Sequence, residues 1–145
     1  MNLTGHWKGQ YTYGQGYPPP IRGRSEPFEF EIKDEGGLFS GTCIDEVVNG
    51  MEGNESFIYG VFKEGDIKFK KTYKYYLTFN ESNELIPEDH FEHKGVDYAG
   101  RLYKTFFSRK PYFKGKWSIT TEYKDAINRT QSFIVEGTWK MSKAV

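Results

Sequence analysis

The chain has 145 residues, enough for one domain of ordinary size. Its 20 acidic and 20 basic side chains cancel, so no net field favours nucleic acid or an anionic membrane surface, and neither is expected as a partner. Phe, Tyr and Trp number 12, 11 and 3, while Ala and Leu, the mainstays of helices, are scarce; this balance suits pleated sheets and argues against a helical bundle or an α/β fold.

Other bounds follow. No apolar run approaches the roughly 20 residues needed to span a bilayer. The first residues, Met1 to Trp7, carry neither the basic region nor the apolar run of a signal peptide. Cys43 is the single cysteine, so a disulfide framework and a multi-cysteine metal site are ruled out, and a cytoplasmic location is expected. Asn-x-Ser/Thr triplets at Asn2, Asn54, Asn80 and Asn128 read as turn residues.

Period-2 alternation dominates the chain in order. Leu3, Gly5, Trp7, Gly9, Tyr11 and Tyr13 share one face of a first strand. Phe28, Phe30 and Ile32 define a second strand, and Phe39, Gly41 and Cys43 a third. Phe57 to Phe62 is apolar on both faces, so its orientation stays open. Ile67, Phe69, Lys71, Tyr73, Tyr75, Leu77 and Phe79 read as one long strand, followed by Val96 to Phe106, Phe113 to Tyr123 and Phe133 to Met141. Hairpin-sized connections at Glu35-Gly36-Gly37, Lys63-Glu64-Gly65 and Arg109-Lys110-Pro111 make neighbours antiparallel. Only Lys124 to Arg129 has room for a helical turn. Two connections are long, Gly14 to Ser25 and Glu81 to Gly95.

An apolar-x-Gly-x-apolar signature recurs around Gly5, Gly41, Gly60, Gly100, Gly115 and Gly137. Glycine weakens a strand interior, so repetition needs a cause. Either glycine kinks let the sheet coil and close, or each Gly makes room for a neighbouring ring. The expectation is all-β: an eight-stranded (eight to ten) antiparallel up-and-down barrel formed by residues 1–145 as a single domain, whose closure removes exposed edges.

Leu3-Thr4-Gly5-His6-Trp7 resembles the G-x-W opening of the calycins, the group of lipocalins, fatty-acid-binding proteins and avidins, and Phe39-Ser40-Gly41-Thr42 resembles the matching avidin strand. The Gly14 to Ser25 segment falls where lipocalins carry a large first loop over the barrel mouth. The resemblance implies a lipocalin-like cavity open at one end, with Trp7 plugging the other. The chain departs from the group in lacking the lipocalin C-terminal helix and disulfide, the lid of fatty-acid-binding proteins and a certain match for the basic residue packed on the first Trp, although Lys140 lies beside Trp139. The nitrobindins, haem-binding relatives with a similar opening, place an axial His near the C-terminus. No His follows His93 in this chain, and no cofactor is expected.

The candidate ligand-binding residues are those of inward parity: Tyr11, Tyr13, Phe69, Lys71, Tyr73, Tyr75, Tyr98, Phe106, Trp117 and Tyr123. Trp7, Phe28, Phe30 and Phe133 complete the inward aromatic set. Buried phenols need partners, so several in one lumen suggest a polar or ligand-filled centre. Lys71 shares this parity, and a buried lysine is costly unless paired. The ordinary expectation is a bulge that turns Lys71 outward; the alternative is a lumen cation facing an anionic ligand, a part that Lys70 takes if the register slips by one. Glu88 to His93 is the weak metal candidate through His90 and His93, although such a pair is more commonly solvated; His6 is expected outside. Gly-x-Ser-x-Gly is absent and Cys43 has no evident His partner, so no catalytic residue is assigned.

The expected function is binding of a small, partly apolar ligand with an anionic or polar end in the lumen. One alternative is a filled barrel acting outward as a protein-interaction or homo-oligomerisation module, through a row of Phe57, Tyr59 and Val61. A lumen enzyme of isomerase or cyclase type rests on fold analogy alone.

Overall fold

The computed structural model describes residues 1–45, 56–73, 76–88, 95–104, 107 and 110–144. Ten strands are present: β1 (Gly5–Tyr13), β2 (Ser25–Glu35), β3 (Leu38–Asp45), β4 (Ser56–Lys63), β5 (Asp66–Tyr73), β6 (Tyr76–Phe79), β7 (Leu85–Glu88), β8 (Val96–Tyr103), β9 (Tyr112–Lys124) and β10 (Thr130–Lys143). Eight of them close a barrel in the order β1-β10-β9-β8-β5-β4-β3-β2, antiparallel at every step, and β6 and β7 pair only with each other. Among the described residues there is no helix, and none is long and apolar enough to cross a membrane.

The expected long strand from Ile67 to Phe79 is corrected. β5 leaves the barrel at Tyr73, and Tyr76–Phe79 turns into the separate β6–β7 hairpin. The hairpin is an insertion between β5 and β8, which pair directly from Asp66↔Arg101 to Lys71↔Val96. Lys124 to Arg129 forms a tight turn rather than a helical one. Its Asp125 carboxylate accepts the backbone N–H groups of Ile127 (3.1 Å) and Arg129 (2.9 Å).

Antiparallel order sorts the connections to two ends. The start of β1, the end of β10 and the tight turns at Gly36-Gly37 and Glu64-Gly65 lie at one end. All four turn residues have positive φ, the geometry that matches hairpin twist. The loop 14–24, the β6–β7 insertion and the 125–129 turn lie at the other end, the mouth.

Trp7 and Leu3 are fully buried at the closed end. The indole N–H of Trp7 donates to the Leu3 carbonyl at 2.7 Å, and its ring packs 5.6 Å from that of Phe113. Asp34 anchors the same end: its carboxylate accepts the backbone N–H of Leu3 (2.8 Å) and of Gly37 (2.9 Å). Above this plug rings touch ring to ring. Phe28 stacks on Phe30 at 4.4 Å, Phe30 meets Phe69 at 5.7 Å, Phe69 stacks on Tyr98 at 4.6 Å, and Trp139 caps both at 5.4 and 5.8 Å. The closed half of the barrel is therefore filled by its own side chains, as an eight-stranded interior permits.

Some strand glycines make room for a neighbouring ring where two backbones come close, and others, such as Gly41 and Gly115, meet backbone alone. At Gly137 an added Cβ would lie 2.0 Å from the Thr12 carbonyl oxygen and 2.5 Å from the Trp117 ring. The backbone thus approaches its neighbour closely, and an indole occupies the missing side chain's place. The Trp117 N–H then reaches the Thr138 carbonyl at 3.0 Å.

Candidate functional site

β5 pairs with β4 and β8 residue for residue, without a bulge. Alternation therefore carries inward parity from Ile67 and Phe69 straight to Lys71. The outward bulge expected for Lys71 is corrected: the side chain is 2% exposed, inside the barrel, near the mouth. Lys70 is the outward neighbour, 3.5 Å from Asp97.

The Lys71 ammonium is ringed by phenols. Its Nζ lies 5.0 Å from the ring centre of Tyr11, 5.2 Å from Tyr73 and 5.4 Å from Tyr98. Three strands contribute these rings, β1, β5 and β8. Each ring face offers a negative quadrupole to the cation, which offsets part of the cost of removing it from water.

Tyr13 continues the cluster upward. Its ring meets Tyr11 at 5.5 Å and Trp117 at 6.1 Å, both edge-on. A side-chain hydrogen bond links the Tyr13 and Tyr11 hydroxyls. Burial pushes the Tyr13 phenol up to about 12; the negative charge of Glu26 adds to this, while that bond, Arg24 and Lys71 oppose it. Arg24, Glu26 and Lys71 thus all act on one phenol. Among the described residues they supply two cations and one carboxylate at this end of the lumen.

Glu26 and Arg24 are the site residues that sequence reading missed. Glu26 is buried and lies in phase with Phe28, Phe30 and Ile32; extending that alternation two residues toward the N-terminus finds it. The Arg24 guanidinium pairs with the Glu26 carboxylate and also donates to the Asn83 carbonyl at 3.3 Å, tying the first loop to the β6–β7 hairpin. That loop folds back over the mouth: Ile21 is buried, and the Tyr17 ring packs 4.9 Å from Tyr13 and 6.1 Å from Trp117.

Of the ten candidate residues, the structure brings together Tyr11, Tyr13, Phe69, Lys71, Tyr73, Tyr98 and Trp117. Tyr123 stands apart. Pairing of β9 with β8 stops at Ser118 and of β10 with β1 at Gly137, so Tyr123 and Phe133 sit on a two-stranded ribbon projecting past the barrel wall. Their rings meet at 6.0 Å and both are exposed, which corrects their assignment to the enclosed lumen. Tyr75 and Phe106, and the metal candidates His90 and His93, lie outside the described residues. Among the described residues no group of three His, Cys, Asp or Glu side chains is arranged to hold a metal ion.

His6 points outward between two carboxylates, with Nε2 3.0 Å from Glu29 and Nδ1 against Glu31. The Glu31 hydrogen bond raises its pKa above the ordinary 6.5. Two open depressions of about 420 Å³ each lie against the barrel wall, one beside Gly60 and Ala99, the other beside Gly115. No protein-family model matches the chain, and neither a curated protein nor a solved structure matches it.

Proposed function

We propose that the protein is a calycin-like binding barrel that takes a small, partly apolar ligand at its mouth, with the ligand's anionic or polar end turned toward Lys71. One observation carries this reading: a lysine 2% exposed, held inside the barrel by three phenol rings at the end where the long loops gather. A ring-lined wall with a few convergent polar groups is the usual make-up of a small-molecule site. The filled closed half limits the ligand to the mouth half, where Tyr11, Tyr13, Tyr73 and Trp117 supply apolar contact and hydroxyls supply orientation. Arg24 and Tyr17, on the first loop, are the groups a ligand meets on entry.

A reducing, cytoplasmic setting belongs to the same proposal, supported by a chain whose one cysteine cannot form an internal disulfide. The test is native mass spectrometry of protein purified gently from its own cells, followed by calorimetric titration with dodecanoate. Co-purification of a small acid, or saturable dodecanoate binding, is the expected outcome. Ligand-free protein that also fails to take up dodecanoate would overturn the proposal.

A further inference from the structure

The outer wall over β3 and β4 differs from the rest of the barrel. Most outward positions elsewhere are charged or small and polar, such as Lys8, Gln10 and Thr12 on β1 or Lys114, Lys116 and Ser118 on β9. On β4 the outward row is Phe57, Tyr59 and Val61, exposed by 47%, 54% and 44%. The doubly apolar β4 segment is thus resolved: Ile58 faces the core and this row faces water. On β3 the outward neighbours are Leu38, Ser40, Thr42 and Ile44, with Leu38 and Ile44 also exposed. Register sets Phe57 beside Thr42, Tyr59 beside Ser40 and Val61 beside Leu38. The face is therefore a ridge of two large rings running alongside a trough of two small residues.

We infer that this face binds a second copy of the chain, face to face, about a two-fold axis parallel to the strands and between β3 and β4. Such an axis lays β4 of each copy over β3 of the other. The Phe57–Tyr59 ridge of one copy then enters the Thr42–Ser40 trough of its mate, twice over, as an isologous interface requires. A two-fold axis across the strands would instead set Tyr59 on Tyr59, bulk against bulk. Charge at the rim selects the same axis. Glu35 flanks Leu38 on the β2 side and Lys68 flanks Val61 on the β5 side, so the parallel axis brings Glu35 of each copy to Lys68 of the other. Lys33 and Lys70 come to the same level, each already matched by a carboxylate of its own chain, Glu35 at 3.6 Å and Asp97 at 3.5 Å. Exposed apolar faces of this kind mark interaction sites, and aligned sheets pack well at about 10 Å.

Sedimentation equilibrium of the full chain tests the inference. Wild-type protein is expected to sediment at twice its 16.9 kDa mass at a concentration of tens of micromolar. Phe57→Lys is expected to be monomeric with an unchanged circular dichroism spectrum, weakening association at least 100-fold. Because Phe57 is outward on its strand, the core should survive; a charge swap provides a second reading. Glu35→Lys should weaken the dimer several-fold, and Glu35→Lys with Lys68→Glu should recover it. A wild-type monomer at millimolar concentration would overturn the inference. So would a dimer indifferent to Phe57→Lys, or a charge swap that fails to recover what Glu35→Lys lost.

Discussion

Lys71 Nζ stands 5.0 Å from the centre of the Tyr11 ring, a contact between strands on opposite sides of the closure. The two residues are 60 positions apart, yet alternation along β1 and β5 points both into one lumen. The cation is held by ring faces, and Arg24 and Glu26 bear on the same Tyr13 phenol. The mouth is therefore a charged and aromatic site above a filled apolar base.

Strand glycines pressed against a neighbouring strand should be intolerant of added volume. Gly137→Ala places a Cβ on the Thr12 carbonyl and the Trp117 ring, and we expect it to destabilise the fold by about 3 kcal/mol, the upper end of overpacking costs. A Cβ added at Gly36 would meet no atom within 4 Å, but φ there is 67°, so Gly36→Ala should cost only about 1 kcal/mol of backbone strain. Urea unfolding of both variants gives the comparison.

Stability should depend on pH near neutrality through His6. Its folded pKa is raised above 6.5 by Glu31 and Glu29, so its contribution is complete below 6.5 and is lost as pH rises through the folded value. The urea midpoint of the wild type should fall over that window, and that of His6→Gln should lose this component. An identical decline in both proteins would show that the His6 pairing does not matter to folding.

The Tyr13 phenol sets an alkaline limit. It keeps its proton to about 12 in the folded state but loses it near 10 when unfolded, so stability falls as pH climbs from 10 toward 12. Tyr13→Phe should flatten this part of the curve by about one proton. The measurement is the denaturation midpoint at a series of pH values above 9, compared between the two proteins.

Much of this architecture was legible in the sequence, because period-2 alternation and strand glycines both record a closed sheet. Tyr11, Tyr13, Phe69, Tyr98 and Trp117 followed from parity alone. The end of β5 did not, since Tyr73, Tyr75, Leu77 and Phe79 stay in phase across the departure and neither Gly nor Pro marks it. Glu26 was lost because reading a strand by its apolar residues stops at Phe28, whereas burial of a carboxylate depends on a guanidinium outside the strand. The inward course of Lys71 looked costly for a similar reason. The rings that make it tolerable come from β1 and β8 as well as its own strand, and no local pattern reveals them.

Binding at the mouth is tested most directly by comparing dodecanoate with dodecanol on wild-type protein and on Lys71→Met, which keeps the volume and removes the charge. The wild type should prefer the acid, and Lys71→Met should lose that preference by about 10-fold, equivalent to about 1.4 kcal/mol, while binding the alcohol as before. An acid preference that survives the substitution undiminished would contradict the role of Lys71 as partner to the ligand's anionic end.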